Sequence, residues 1–334
     1  MMMTTMRLSL IVALTLALCW LAPPLAAEEI SRDYHETFDV EQGMRLVLEH
    51  GDGDVEITPW HENTLEVDVR YRAQASNIGW SKSTEFKVDF SQDGNTISVV
   101  VHEPKRMNIG VATYRESEYR FRIKAPSYLE LQLEGEDGDV AIADWRGSIR
   151  LRLEDGDVEM RNIEAGRTEV TLEDGDLEID GIRGDLDIES EDGDIEIFDC
   201  RTEHGHIRTE DGDVTVDRCA GSFDIAASDG DAELREVAAR KMDIRTGDGT
   251  VEVALLPMDD LDLQVRVGDG DVLVDLDQDV SATFELETRD GRIRLMAEGV
   301  ANLRQDKRRT TGQIGSGNGS IYVRTVDGSV TLRQ

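Results

Sequence analysis

Residues 154–197 read EDGDVEMRNIEAGRTEVTL-EDGDLEIDGIRGDLDIES-EDGDIEI, and the repeat inside them decides the fold. An Asp-Gly-Asp-apolar element recurs at 51–57, 136–142, 154–160, 173–179, 191–197, 210–216, 228–234, 247–253 and 268–274, then decays through 289–295, 317–323 and 327–332. From Gly138 to Gly291 the glycines are 18, 19, 18, 19, 18, 19, 21 and 21 residues apart. A period this regular marks an architecture in which each repeat is one coil of a stack. Two and four residues after the glycine stand apolar columns (Val140, Val158, Leu177, Ile195; Ile142, Met160, Ile179, Ile197), separated by polar residues. A third column lies five residues before it (Leu151, Val170, Ile188, Ile207). Alternation with period two is a short strand with one buried face. The fold expected is therefore all-β: a parallel β-solenoid with two short strands per 18–19-residue coil, about 38 Å long from Gly138 to Gly291.

Outward from the repeat, the chain divides into four parts. Residues 1–27 read as a signal peptide that is removed: Arg7 is the only charge, 8–21 is almost wholly apolar, and 23–27 ends in small residues. Cys19 follows Leu18, which is too large for a lipoprotein signal. Residues 28–125 carry longer alternating runs (64–72, 85–90, 96–102, 119–124) and are expected to form a mostly antiparallel β capping region. Residues 126–300 hold the regular coils. Residues 301–334 are expected to form a loop carrying Lys307, Arg308 and Arg309, then half-coils that close the far end.

The early Gly-Asp-Val-Glu-Ile-x-x-Trp segment (53–60), Ala125-Pro126, the Gly-Asp-apolar coils and the Gly-Ser-Ile…Asp-Gly-Ser-Val-Thr-Leu ending resemble the bacterial putative-adhesin family of exported β-strand-repeat domains of unknown function. The resemblance implies a secreted, adhesin-like β-solenoid and carries no catalytic residues over.

Charge limits the partners. The 334 residues include 71 Asp+Glu against 36 Lys+Arg, a formal charge of −35; losing Arg7 with the leader makes it −36. Such a chain does not hold nucleic acid by phosphate neutralisation, nor an anionic membrane by charge. No segment after the leader is apolar enough to span a bilayer. The protein is expected to be exported, in the periplasm or on the cell surface, with an envelope protein or a glycan as its partner.

Stacking puts equivalent carboxylates about 5 Å apart. Asp before glycine is turn chemistry, the side chain closing an Asx-turn while glycine supplies a positive φ. The second Asp and the Glu of EDGD are less demanded by a turn. The sharper reading makes Asp137, Asp139, Asp155, Asp157, Asp174, Asp176, Asp192, Asp194, Asp211 and Asp213 calcium ligands. The calcium-binding β-roll also has an 18-residue turn, but there the apolar residue comes two after Asp and here it comes one after.

Cys200 and Cys219 are one coil apart, in a column otherwise holding Trp145, Ile163 and Ile182, and export permits a Cys200–Cys219 disulfide. His204-Gly-His206 lacks further ligands at metal spacing. No nucleophile elbow, phosphate loop or zinc-hydrolase signature occurs. Coils of constant length leave no inserted loops to wall a cleft. The function expected is a non-enzymatic interaction module with an acidic corner. The alternatives are a calcium-binding, β-roll-like structural rod and a glycan-active β-helix enzyme.

Overall fold

The computed structural model describes residues 28–76, 86–103, 113–258 and 260–334. The expected leader lies outside them, as does Glu85. The described residues form 28 strands and no helix. Each glycine turn separates a strand that ends at its first Asp from one that begins two residues after it, so the strands fall into a pre-glycine and a post-glycine ladder.

Within both ladders neighbouring coils pair parallel and in register. Leu151 lies opposite Leu133 on one side and Val170 on the other; Ile179 lies between Met160 and Ile197. The apolar columns become stacked rows facing one interior. Leu151, Val170, Ile188, Ile195, Ile197 and Val214 are each at most 1% exposed, and Trp145 is fully buried with its Nε1–H donating to the Leu129 carbonyl at 2.9 Å. Fully burying each such side chain contributes about 1.5–3 kcal/mol. No single coil could do this, because its interior face is completed only by its neighbours.

The ends differ from a simple reading in chain order. The coil at 45–59 is not part of an antiparallel cap: Arg45–Glu49 pairs parallel with both Glu130–Asp137 and Thr96–His102, and Asp54–Pro59 with both Val140–Ala143 and Thr113–Ala125. Antiparallel pairing is confined to the outer strands. Lys87–Asp93 lies on Thr96–His102, and Thr64–Ser76 lies between Thr113–Ala125 and Glu28–Asp39.

The C-terminal half-coils do not close the far end. Gly319–Asp327 pairs parallel with both Asp262–Asp269 and Ala282–Asp290, and Val330–Arg333 with both Val272–Leu276 and Ile293–Met296. The last segment of chain is thus inserted one coil inside the end. The physical reason is burial. Ile321, Val323, Val330 and Leu332 are at most 2% exposed, as an internal coil requires, whereas the decayed RDGRIRL coil leaves Ile293 and Leu295 only partly buried. The tongue 301–314 is a hairpin, Arg309–Ile314 pairing antiparallel with Ala282–Asp290 and with Ala301–Gln305. Among the described residues eleven glycine-turned coils result, with Thr96–His102 and Thr113–Ala125 as a twelfth layer. At about 4.8 Å per step the stack is roughly 53 Å long.

Candidate interaction surface

The turn that carries the acid is built by glycine. Gly156, Gly175, Gly193 and Gly212 have φ of 126°, 132°, 117° and 144°, and a Cβ on Gly193 would lie 2.2 Å from the Gly175 carbonyl oxygen. Both the backbone conformation and the close approach of the coil below exclude a side chain.

Hydrogen bonds then account for each Asp. The glycine N–H donates to the carbonyl of the first Asp of the next coil: Gly156 to Asp174, Gly193 to Asp211, both 3.1 Å. The apolar residue's N–H donates to the carbonyl of the next coil's second Asp, as Val158 does to Asp176 at 2.9 Å. The amide of that second Asp finds its acceptor in a side chain. Asp157 N–H donates to Asp139 Oδ1 (3.1 Å), Asp176 to Asp157 (3.0 Å), Asp194 to Asp176 (2.9 Å), Asp213 to Asp194 (2.9 Å) and Asp231 to Asp213 (2.7 Å). Thr250 N–H continues the file onto Asp231, and Ser329 N–H donates from the inserted coil to Asp271. The second Asp, less demanded by the turn itself, is the residue that satisfies the amide one coil on. The sequence signal was its near-invariance beside an Asp-Gly pair that already sufficed for turning.

The first Asp and the Glu are exposed and repel their equivalents in the neighbouring coils. Asp155 and Asp192 have pKa values raised above the usual carboxylate range. Lost hydration at the crowded corner is the larger cause; the charges of Asp174 and of Asp137 or Asp211 follow. Among the described residues no three His, Cys, Asp or Glu side chains converge as a metal cluster. The ten aspartates picked from sequence stand in two files down the corner.

The flat faces handle charge differently. Arg150–Glu169 (2.5 Å), Arg167–Asp187 (2.9 Å), Arg183–Glu164 (3.0 Å), Arg218–Asp199 (2.9 Å) and Arg266–Asp243 (2.9 Å) each tie one coil to the next. The hydrogen bond from Arg150 holds the Glu169 carboxyl below its ordinary range, and that from Arg218 does the same to Asp199. Bases are therefore engaged on the faces while the corner keeps its net charge. Between them runs an open groove of about 790 Å³, bordered by Arg152, Arg208 and Arg245 and by Glu173, Glu191 and Glu210.

The second corner of each coil was expected from Gly147, Gly166, Gly184 and Gly221; its left-handed column was missed from sequence. Six residues after the glycine, Asp144, Asn162, Asp199, Arg218 and Glu236 have φ of 50–54°, and Gly181 has 81°. Asp, Asn and Gly tolerate this left-handed conformation best, and their presence in one column was the available signal. Asn162 Nδ2–H donates to Asp144 Oδ1 at 3.1 Å.

Cys200 and Cys219 sit in adjacent coils, 3% and 1% exposed, both as thiols. The Cys200 N–H donates to Cys219 Sγ at 3.2 Å, and the hydrogen bond between the two side chains, with burial, pushes the Cys200 thiol well up. His204 is exposed beside Asp185, 3.4 Å away. His50 is the buried histidine, 7% exposed. It lies 5.2 Å from the Phe121 ring, in space that Gly135 of the next coil leaves open. Its Nδ1–H donates to the Gly51 carbonyl at 3.1 Å and Nε2 has no partner; burial lowers its pKa to about 4.

Stacked all-β coils with an amide-capped acidic file define the class of molecule. The Toastrack DUF4097 family matches residues 44–221 and again 219–333, and the chain belongs to that family. Solved structures similar to it include a putative cell adhesion protein from Clostridium sporogenes (12% identity, 91% of this chain and 100% of that one, TM-score 0.25). A putative adhesin from Bacteroides fragilis is similar at 11% identity, over 92% and 98% of the chains, with TM-score 0.36. A putative lipid binding protein from Parabacteroides distasonis is similar at 12%, over 90% and 97%, with TM-score 0.38. No curated protein matches the chain. No helix among the described residues is long and apolar enough to cross a membrane.

Proposed function

We propose that the protein is an exported, non-enzymatic β-solenoid that serves as an interaction module of the cell envelope or surface. Its working surface is the acidic corner with the adjoining groove. The observation that carries this is the division of charge: coil-to-coil ion pairs engage arginines on the faces, while Glu154, Asp155, Glu173, Asp174, Glu191 and Asp192 keep a linear negative field along one edge. Such an edge fits an extended cationic or cation-bridged partner, an envelope protein or a glycan. Cross-linking in the native envelope tests it. Capture should fall steeply with salt and with Glu173→Gln, Glu191→Gln and Glu210→Gln combined; capture unaffected by both would contradict it.

The second reading is a rod whose corner holds calcium. Crowding that raises the pKa of Asp155 and Asp192 supports it, since a cation would relieve the repulsion. Against it, one oxygen of each of Asp139, Asp157, Asp176 and Asp194 already accepts an amide. For Cys200 and Cys219 we propose oxidation to a disulfide on export, supported by their adjacency. Peptide mapping without reductant should recover them linked; two free thiols in the exported protein would refute it.

A further inference from the structure

The two ends of the post-glycine ladder are unequal. At the far end Ile293–Met296 pairs with Val330–Arg333, and among the described residues no strand covers its outer edge. The pre-glycine ladder beside it is covered by the hairpin. The open edge leaves Ile293 and Leu295 partly exposed, with Met296 at 59%. A bare strand edge with apolar side chains at the end of a stack is a template for another strand.

Charge and direction say what fits. Residues 289–309 hold seven Arg or Lys against three acids, +4 in a chain of −35. The opposite end of the same ladder is Glu28–Asp39, which pairs only with Thr64–Ser76 among the described residues and holds five acids against one Arg, −4. Direction matches too. Thr64–Ser76 runs antiparallel to Thr113–Ala125, and Glu28–Asp39 antiparallel to Thr64–Ser76, so two reversals restore the direction of the coil strands. A second copy displaced along the stack axis would set its Glu28–Asp39 parallel to Ile293–Met296 and continue the ladder.

We infer that the protein associates with itself head to tail, the basic edge at Ile293–Met296 of one copy taking the acidic strand Glu28–Asp39 of the next. The contact is heterologous and repeats without closing. Because the whole chain is strongly acidic, association needs enough salt to screen the rods' long-range repulsion, the Debye length being about 8 Å at physiological ionic strength. This goes beyond the envelope partner and does not depend on it.

Sedimentation of the purified protein, leader removed, at physiological salt tests it with two charge-reversed variants. All four substituted side chains are exposed: Arg292→Glu with Arg294→Glu at the basic end, Glu36→Lys with Asp39→Lys at the acidic end. The native protein should grow in mass with concentration beyond a dimer, each variant alone should stay monomeric, and the two variants mixed should pair. A native protein monomeric at all concentrations overturns the inference. So does an acidic-end variant that still dimerises alone, which means pairing of basic ends, or a mixture that fails to pair. Met296→Asp at the same edge should also abolish growth in mass; its failure to do so counts against the edge.

Discussion

Asp176 shows what one carboxylate does in this fold. Its Oδ1 accepts the Asp194 amide, and its own amide donates to Asp157, so it is one link in a file that crosses the stack. Asp176→Ala should leave the Asp194 N–H without its acceptor and cost about 1 kcal/mol. Asp176→Asn keeps the oxygen and removes a charge, and should cost nothing measurable or stabilise; urea denaturation of the two variants makes the comparison. His50 supplies the pH dependence. Its folded pKa of about 4 lies below the unfolded value of 6.5, so its neutral burial contributes stability that is fully present above pH 6.5 and lost as pH falls toward 4. The loss is about 3 kcal/mol, and His50→Leu should abolish that part of the slope. Asp155 and Asp192 act in the opposite sense: with folded pKa values raised, they relieve repulsion as pH falls through those values. The midpoint of urea denaturation should therefore fall between pH 7.5 and 4.5 through His50.

At the scale of elements, the regular coils were legible because Asp-Gly fixes the turn and the apolar columns fix the face. Val158, Leu177 and Ile195 lie opposite one another as their offsets from glycine require. The order of the end coils was not legible, because a sequence gives succession along the chain and the stack is ordered by burial. The clue lay in residues rather than in order. Val330 and Leu332 keep the clean alternation of an internal coil, while Arg292 and Arg294 flank Ile293 in the terminal one. Hydrogen exchange should find the amides of 321–323 and 330–332 as protected as those of the central coils, with 293–296 exchanging fast. The reverse pattern would mean that the chain's last strands lie outermost. The pocket that Gly135 leaves for His50 was illegible for a different reason. It depends on a neighbour one coil away that pattern alone does not name.

The whole molecule is a rod with one unneutralised edge. Its net charge is distributed by the repeat, with arginines spent on coil-to-coil pairs across the faces and carboxylates left in two files at the turn. The file of second aspartates is held by main-chain amides, and the file of first aspartates is repulsion that any electrolyte screens. Thermal unfolding of the purified protein in calcium chloride, against sodium chloride of equal ionic strength with chelator, tests that claim most directly. The melting temperature should rise equally with either salt. A saturable rise specific to calcium would contradict it and make the acidic corner a row of cation sites.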